Sequence, residues 1–265
     1  MPSQGTSTFD LFALRFHFAA SGVVRFPPGE TANLFRGEFG KVLHRRHPAL
    51  YERFFAPVRV SGIPSGLHDP PRPFAFRVRH LDGAVLDRFF VGLNWFETSQ
   101  PEIEAIGDAI AELASQNLRA EFISVEGREI LHLPLTPSRP ASRVRVYFLS
   151  PTELKPAGEP DFGRLFSRVR DRIATLRALY GEGPLEIDFH AMGKRARAIR
   201  MTRCEIHHER IRRATGPRHP LGGFLGEAEY EGDLTEFIPY LNAAQYTGVG
   251  RQTVWGKGEI SIETF

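Results

Sequence analysis

Phe9-Asp10-Leu11-Phe12-Ala13-Leu14-Arg15-Phe16-His17-Phe18-Ala19 is the stretch on which the reading of the fold turns. Phe12, Leu14, Phe16 and Phe18 fall on one side of an extended chain, with Arg15 and His17 on the other, which is the two-residue period of a half-buried strand. Between Thr31 and Arg46, Phe35, Phe39, Val42 and Leu43 recur at three-to-four spacing. That spacing predicts an amphipathic helix, and Pro48 marks its end. Val58 to Pro73 is rich in Pro and Gly and reads as a loop. Phe74, Phe76 and Val78 alternate with Ala75, Arg77 and Arg79 in a second strand, Asp82-Gly83 supplies a hairpin turn, and Val85 to Leu93 returns as a third. Ser99 with Glu102 forms a capping-box pattern ahead of Ile103, Ile106, Ile110 and Leu113, a second amphipathic helix. Leu118 to Leu133, interrupted at Gly127, closes the series as a strand or hairpin. Strand, helix, strand, strand, helix, strand is the ferredoxin-like, or RRM-like, order.

Pro134 to Pro140 holds three prolines and no apolar period, so it reads as a linker. Beyond it the order repeats. Arg143 to Leu149 is a strand. Phe162, Phe166, Val169, Ile173, Leu176 and Tyr180 mark a long helix whose other face carries Arg164, Arg168 and Arg172. Leu185 to Phe189 and Ala196 to Glu209 read as strands, the latter containing Cys204, and Gly216 to Gly223 is a turn-rich stretch. Phe224 to Glu231 is another strand, Asp233 with Glu236 caps a helix containing Phe237, Ile238 and Leu241, and Val254 to Ile262 ends the chain as a strand. The expected fold is α+β, two tandem ferredoxin-like domains over residues 1–135 and 141–265. A single larger α+β domain is the alternative.

Composition agrees with two cores: 265 residues, 42% of them hydrophobic. No run of about 18 apolar residues exists, and the start lacks a signal-peptide pattern, so a soluble, cytoplasmic protein without a membrane partner is expected. The single cysteine can form neither an internal disulfide nor a thiolate zinc cluster. No nucleophile elbow or HExxH motif supports a small-molecule hydrolase, and neither metal nor cofactor is expected. Net charge is only +3, yet the arginines cluster: Arg45 and Arg46 lie between His44 and His47, and Arg195, Arg197, Arg200 and Arg203 precede Arg210, Arg212 and Arg213. Such runs suit either a solvated surface or phosphate contacts.

The most specific local signal is Gly248-Val249-Gly250-Arg251-Gln252-Thr253-Val254-Trp255-Gly256-Lys257-Gly258-Glu259-Ile260. Its glycines free the backbone either for a hairpin needing positive φ or for bringing N–H groups to an anion, with Arg251 and Lys257 adding charge. It is not a P-loop, lacking the Gly-Lys-Ser/Thr ending, nor a dinucleotide fingerprint, which would sit between a strand and a following helix.

This segment resembles the C-terminal signature of the RAMP-type endoribonucleases that process CRISPR precursor RNA: Gly, apolar, Gly, five residues, Gly, any, Gly, any, apolar. Asn33 to Gly40 is similar to that family's first helix, Leu149 to Lys155 to the opening of its second domain, and Gly222 to Gly226 also has a counterpart. The resemblance implies two ferredoxin-like domains and cleavage within a CRISPR repeat by the RNA's own 2′-hydroxyl, without metal, leaving a 2′,3′-cyclic phosphate and a 5′-hydroxyl. Such a reaction needs proton transfer and cations beside the phosphate. Family members carry a histidine on or near the first helix, so His44 and His47 are the catalytic candidates. Lys41, Arg45 and Arg46 would attend the phosphate, and Tyr51 would orient a base or simply pack. Gly37, Gly40 and His44 share one side of the helix, opposite Phe35, Phe39 and Val42, so an RNA backbone or the second domain's loop could come close. Arg36, Arg45, Arg46, Gly248, Gly250, Arg251, Gly256, Lys257 and Gly258 are the RNA-binding candidates. His17 is a weaker catalytic candidate, and His207, His208 and His219 suit RNA contacts. Repeat RNA is the expected partner, with effector-complex proteins and a second copy of the chain as further ones. The competing reading is a non-catalytic RAMP subunit that holds guide RNA. A generic single-stranded RNA binder finds no clear RNP-type aromatic motif in the first and third strands.

Overall fold

The structure is a computed structural model that describes residues 7–57, 70–155, 158–211 and 221–265. The expected loop over 58–69, Arg212, Arg213 and His219 lie outside them. The first half comprises β1 (Thr8–Arg25), α1 (Thr31–Arg46), α2 (Pro48–Phe55), β2 (Phe74–Arg77), β3 (Val85–Trp95), α3 (Ile103–Leu118), β4 (Ala120–Glu126) and β5 (Leu131–Pro134). The second comprises β6 (Arg143–Thr152), α4 (Phe162–Tyr180), α5 (Phe189–Ala198), β7 (Arg200–Ile211), β8 (Leu221–Glu231), α6 (Ile238–Thr247) and β9 (Ile260–Thr264). Two antiparallel sheets result, ordered β2-β3-β1-β4, with β5 also on β1, and β7-β8-β6-β9. In each, the first strand sits centrally beside the third, so the fold is two tandem ferredoxin-like units.

The alternation in β1 works on both faces. Phe12, Leu14, Phe16 and Phe18 enter a core built largely from phenylalanine with Trp95, α1, α2 and α3. Phe9 and Leu11, on the opposite face, belong to the second core, where Ala75 and Phe96 join them against residues of α4 and α6. One sheet therefore walls both cores. Hydrogen bonds fasten the halves: Arg177 Nε donates to the Thr8 carbonyl at 2.9 Å and the Tyr180 hydroxyl to that of Pro71 at 2.9 Å. The C-terminal carbonyls of α6 are gripped as well. Arg77 Nη2 and Asn94 Nδ2 donate to Tyr246 O at 2.6 and 2.9 Å, and Arg172 Nε to Thr247 O at 3.0 Å. Cations suit that negative helix end.

Several local expectations are corrected. Leu185 to Phe189 is no strand: Phe189 starts α5, whose first turn is capped by Asp188 accepting from Ala191 N at 2.9 Å, and β7 begins at Arg200 rather than Ala196. The Ser99/Glu102 capping box does not form. Buried Glu97 takes the N–H groups of Ser99 and Gln100 at 2.9 and 3.0 Å, accepts from the Ser99 hydroxyl and pairs with Arg53. Glu102 itself is the left-handed residue before α3. Glu236 is likewise drawn off to Arg195, and Phe237 starts α6. Asp82-Gly83 is not a tight hairpin, because a 3-10 turn at Arg79–Leu81 precedes it, and Asp82 instead accepts from Thr31 N at 3.3 Å at the start of α1. Pro48 does follow the end of α1, yet it also opens α2. Leu118 to Leu133 becomes two strands on one edge of β1, parted at Gly127, where a Cβ would lie 2.1 Å from Ala13 O. No helix among the described residues is long and apolar enough to cross a membrane.

Candidate nucleic-acid interface

The glycine-rich segment leaves α6 at Gly248 and reaches β9 through a 3-10 turn at Thr253–Trp255, so it is a folded loop rather than a hairpin. Gly258 has φ +67, and a Cβ there would lie 1.9 Å from Val249 O, whose own N–H donates to Gly258 O at 2.8 Å. Gly250, at φ +81, leaves 2.4 Å between a hypothetical Cβ and Glu153 O. Gly248 and Gly256 also have positive φ, at 71° and 72°. These glycines serve the loop's own folding first. Arg251 N and Gly258 N are spent on Glu153 O and Pro151 O, both at 3.1 Å, and the Arg251 side chain pairs with Glu153 at 3.1 Å.

The loop meets the N-terminal half of α1. A Cβ on Gly256 would stand 2.5 Å from that of Ala32, and the Arg36 guanidinium lies 5.2 Å from the Trp255 ring and 5.7 Å from Phe55. His44 sits eight residues further along, about 12 Å at the helical rise. It is exposed, its ring edge-on to Tyr51 at 4.9 Å, and Tyr51 stacks on Phe55 at 5.2 Å. Phe55 also explains one of the two helix glycines: a Cβ on Gly40 would be 2.9 Å from its ring, whereas Gly37 has nothing within 4 Å. Gly37 thus keeps the open face the sequence suggested; Gly40 receives α2. Lys41 pairs with Glu38 at 2.7 Å, while Arg45 and Arg46 both bind Glu112 of α3. Burial opposes ionisation of Glu112, but hydrogen bonds from Arg46 and Arg45 prevail and hold its carboxyl below the ordinary range. His47 is half-buried at the α1–α2 junction. The structure therefore brings His44 together with Tyr51, and Arg36 together with Trp255 and Gly256, at separate stations of one helix.

Lys257 is only 6% exposed and lines a cavity of about 180 Å³ with Asp82, Glu209 and Glu259. Burial lowers its pKa, partly offset by Asp82 and Glu209. Beside it, a cleft of about 300 Å³ runs between the first sheet and the end of α6, lined by Arg15, Arg77, Arg79, His80, Phe90 and Tyr246. Here His80 stacks on Phe90 at 4.0 Å and Arg15 lies 5.6 Å from the same ring, while burial holds His80 below its usual pKa. These residues were not singled out from the sequence. The available signal was Phe89-Phe90, an aromatic pair that must send one ring to each face of β3. His17, the weaker candidate, sits on the same face, 5.8 Å from Phe90 and paired with Glu126 at 3.2 Å. His207 and His208 stand exposed on β7.

Two ferredoxin-like units with a glycine-rich loop docked on the first helix define a RAMP-type protein. More particularly, residues 146–260 match the family model described as CRISPR-associated endoribonuclease Cas6, which bears out the resemblance seen in the sequence. The match takes in the loop and leaves α1 outside. No curated protein matches the chain. Among solved structures, a Cas6 product complex is 18% identical with a TM-score of 0.64, covering 96% of this chain and 100% of that one. Thermus thermophilus Cas6 is 16% identical at a TM-score of 0.56, covering 98% and 100%. A Cas6 substrate mimic complex is 18% identical at 0.58, covering 96% and 100%. At such identities the likeness is one of fold.

Proposed function

We propose that this chain is a metal-independent endoribonuclease that cleaves CRISPR repeat RNA by attack of the RNA's own 2′-hydroxyl. Residues 1–135 form the unit bearing the catalytic helix, and 141–265 the unit bearing the glycine-rich loop. The single observation that carries this reading is α1 itself, which presents His44, Tyr51, Arg45 and Arg46 at one exposed end and docks on the signature loop at the other. His44 exchanges the proton, first from the 2′-hydroxyl or finally to the 5′ oxygen, and Tyr51 holds its ring. Arg45 and Arg46, released from Glu112, and Lys41 stabilise the charge that builds on phosphorus. Attack forms the 2′-oxygen–phosphorus bond and breaks the bond to the 5′ oxygen, leaving a cyclic phosphate and a hydroxyl. RNA as ligand is supported by the relatives solved as product and substrate mimic complexes.

The test is cleavage of repeat RNA in excess EDTA with the ends mapped, wild type beside His44→Ala. The expected result is intact wild-type activity, cyclic-phosphate and 5′-hydroxyl ends, and a rate roughly 100-fold or more lower in the variant with binding near normal. A magnesium requirement, or full activity of the variant, overturns the assignment. RNA held tightly but uncut by the wild type would instead make the chain a guide-holding subunit, a reading favoured by the engagement of both Arg45 and Arg46 with Glu112.

A further inference from the structure

The connection from β6 to α4, one side of α4 and the start of the glycine-rich loop enclose a cavity of about 210 Å³, remote from His44 along the loop. Its walls include Lys155, Arg168, Arg172 and Arg251, together with Glu153 and Asp171. Both carboxylates are already matched, Glu153 by Arg251 at 3.1 Å and Asp171 by Arg170 at 2.7 Å. Among the described residues no carboxylate lies in ion-pair range of Lys155, Arg168 or Arg172, so the cavity keeps an excess of positive charge. Two of these cations are held in place. Arg168 Nε donates to Lys155 O at 3.1 Å and Arg172 Nε to Thr247 O at 3.0 Å. Arg172 Nη2 is buried with no acceptor among the described residues. Burial, and next the charge of Arg77, lower its pKa to about 9, which still leaves it protonated at neutral pH. A buried donor without an acceptor is costly, and an incoming oxyanion would supply what is missing.

We propose that this cavity binds a backbone phosphate of the RNA, on a flank away from the cut, as a second anchoring point. The inference rests on the RNA-cleaving reading above. RNA is favoured because the cavity opens at Gly250 and Arg251, the beginning of the loop whose far end, at Trp255 and Gly256, lies against α1. A strand that follows the loop away from α1 meets the cavity without leaving the protein surface. Its volume suits one phosphate group with its water, not a folded partner.

The experiment measures the salt dependence of binding by the full chain, using repeat RNA with a 2′-deoxy nucleotide at the cut so that it stays intact. Removing Lys155 and Arg168 together, as Lys155→Ala/Arg168→Ala, is expected to lower the slope of log affinity against log salt by about 1.4 to 1.8, at about 0.7 to 0.9 per phosphate contact. The single-turnover cleavage rate on unmodified RNA at saturation is expected to stay unchanged. Arg168→Lys, which keeps the charge, is expected to keep the slope. A wild-type slope in the double variant overturns the proposal, and so does an Arg168→Lys variant as impaired as Arg168→Ala, because the effect would then be structural. If the wild type binds but does not cut while the slope still falls, the phosphate site stands and the catalytic reading fails. If the wild type does not bind RNA, both fail.

Discussion

At its N-terminal end α1 is pressed against the glycine-rich loop, with Gly256 against Ala32 and Arg36 over Trp255; at its C-terminal end His44, Arg45 and Arg46 stand exposed beside Tyr51 and Glu112. The first end depends on backbone that only glycine adopts without strain, so its geometry is set at folding. The second depends on exposed ion pairs worth about 0 to 1 kcal/mol, which a phosphate can displace at little cost to the fold. Position is built at one end of the helix and reactivity is left available at the other.

This contrast can be broken in three ways. Gly258→Ala forces a Cβ to within 1.9 Å of Val249 O at φ +67. A loss of at least about 2 kcal/mol is expected, read as a fall of several degrees in the thermal midpoint. A midpoint unchanged within error would mean that the loop end is not fixed. A smaller effect, of opposite sign at two sites, is expected within α1. Gly40→Ala meets Phe55 and should destabilise by about 1 kcal/mol or more, whereas Gly37→Ala enters open space and should stabilise by about 0.5 to 1 kcal/mol. Equal shifts in denaturant midpoint would erase the distinction. The smallest effect belongs to Glu112→Gln, below about 1 kcal/mol at neutral pH. Because the folded carboxyl titrates below its ordinary range, its contribution is present above that range and lost as pH falls through the folded pKa. The gap between wild type and variant in urea unfolding should therefore close at about pH 3; a gap that persists there would show that packing, not charge, sets it.

Long periodic segments carried the fold in the sequence: the alternation of Phe12 to Phe18 and the helical spacing of Phe35, Phe39 and Val42 both correspond to real elements. What failed was local. Ser99 and Glu102 have the spacing of a capping box, yet Glu97 is buried nearby and claims the same N–H groups. α5 was hidden because Phe189 to Ala198 is short and arginine-rich, with a starting signal in the single residue Asp188. The site was legible as a set of parts. Gly248 to Gly258 and the α1 basic cluster stood out, but their placement at opposite ends of a helix depends on Gly256 reaching Ala32, a contact across more than two hundred residues of chain. Lys257 read as a surface cation and is buried, since the glycines beside it turn its segment inward. Phe90 and Arg172 escaped notice because their neighbours come from the other half of the molecule.

The two faces of β1 carry a last implication. Phe9 and Leu11 project away from their own helices into packing that the second half completes. A fragment ending at the proline-rich connection would present those side chains to water, along with Ala75 and Phe96, as a greasy scar. The two ferredoxin-like halves are thus better regarded as co-dependent lobes than as modules to be shuffled, and an ancestral duplication, once it acquired this shared wall, would have been hard to undo.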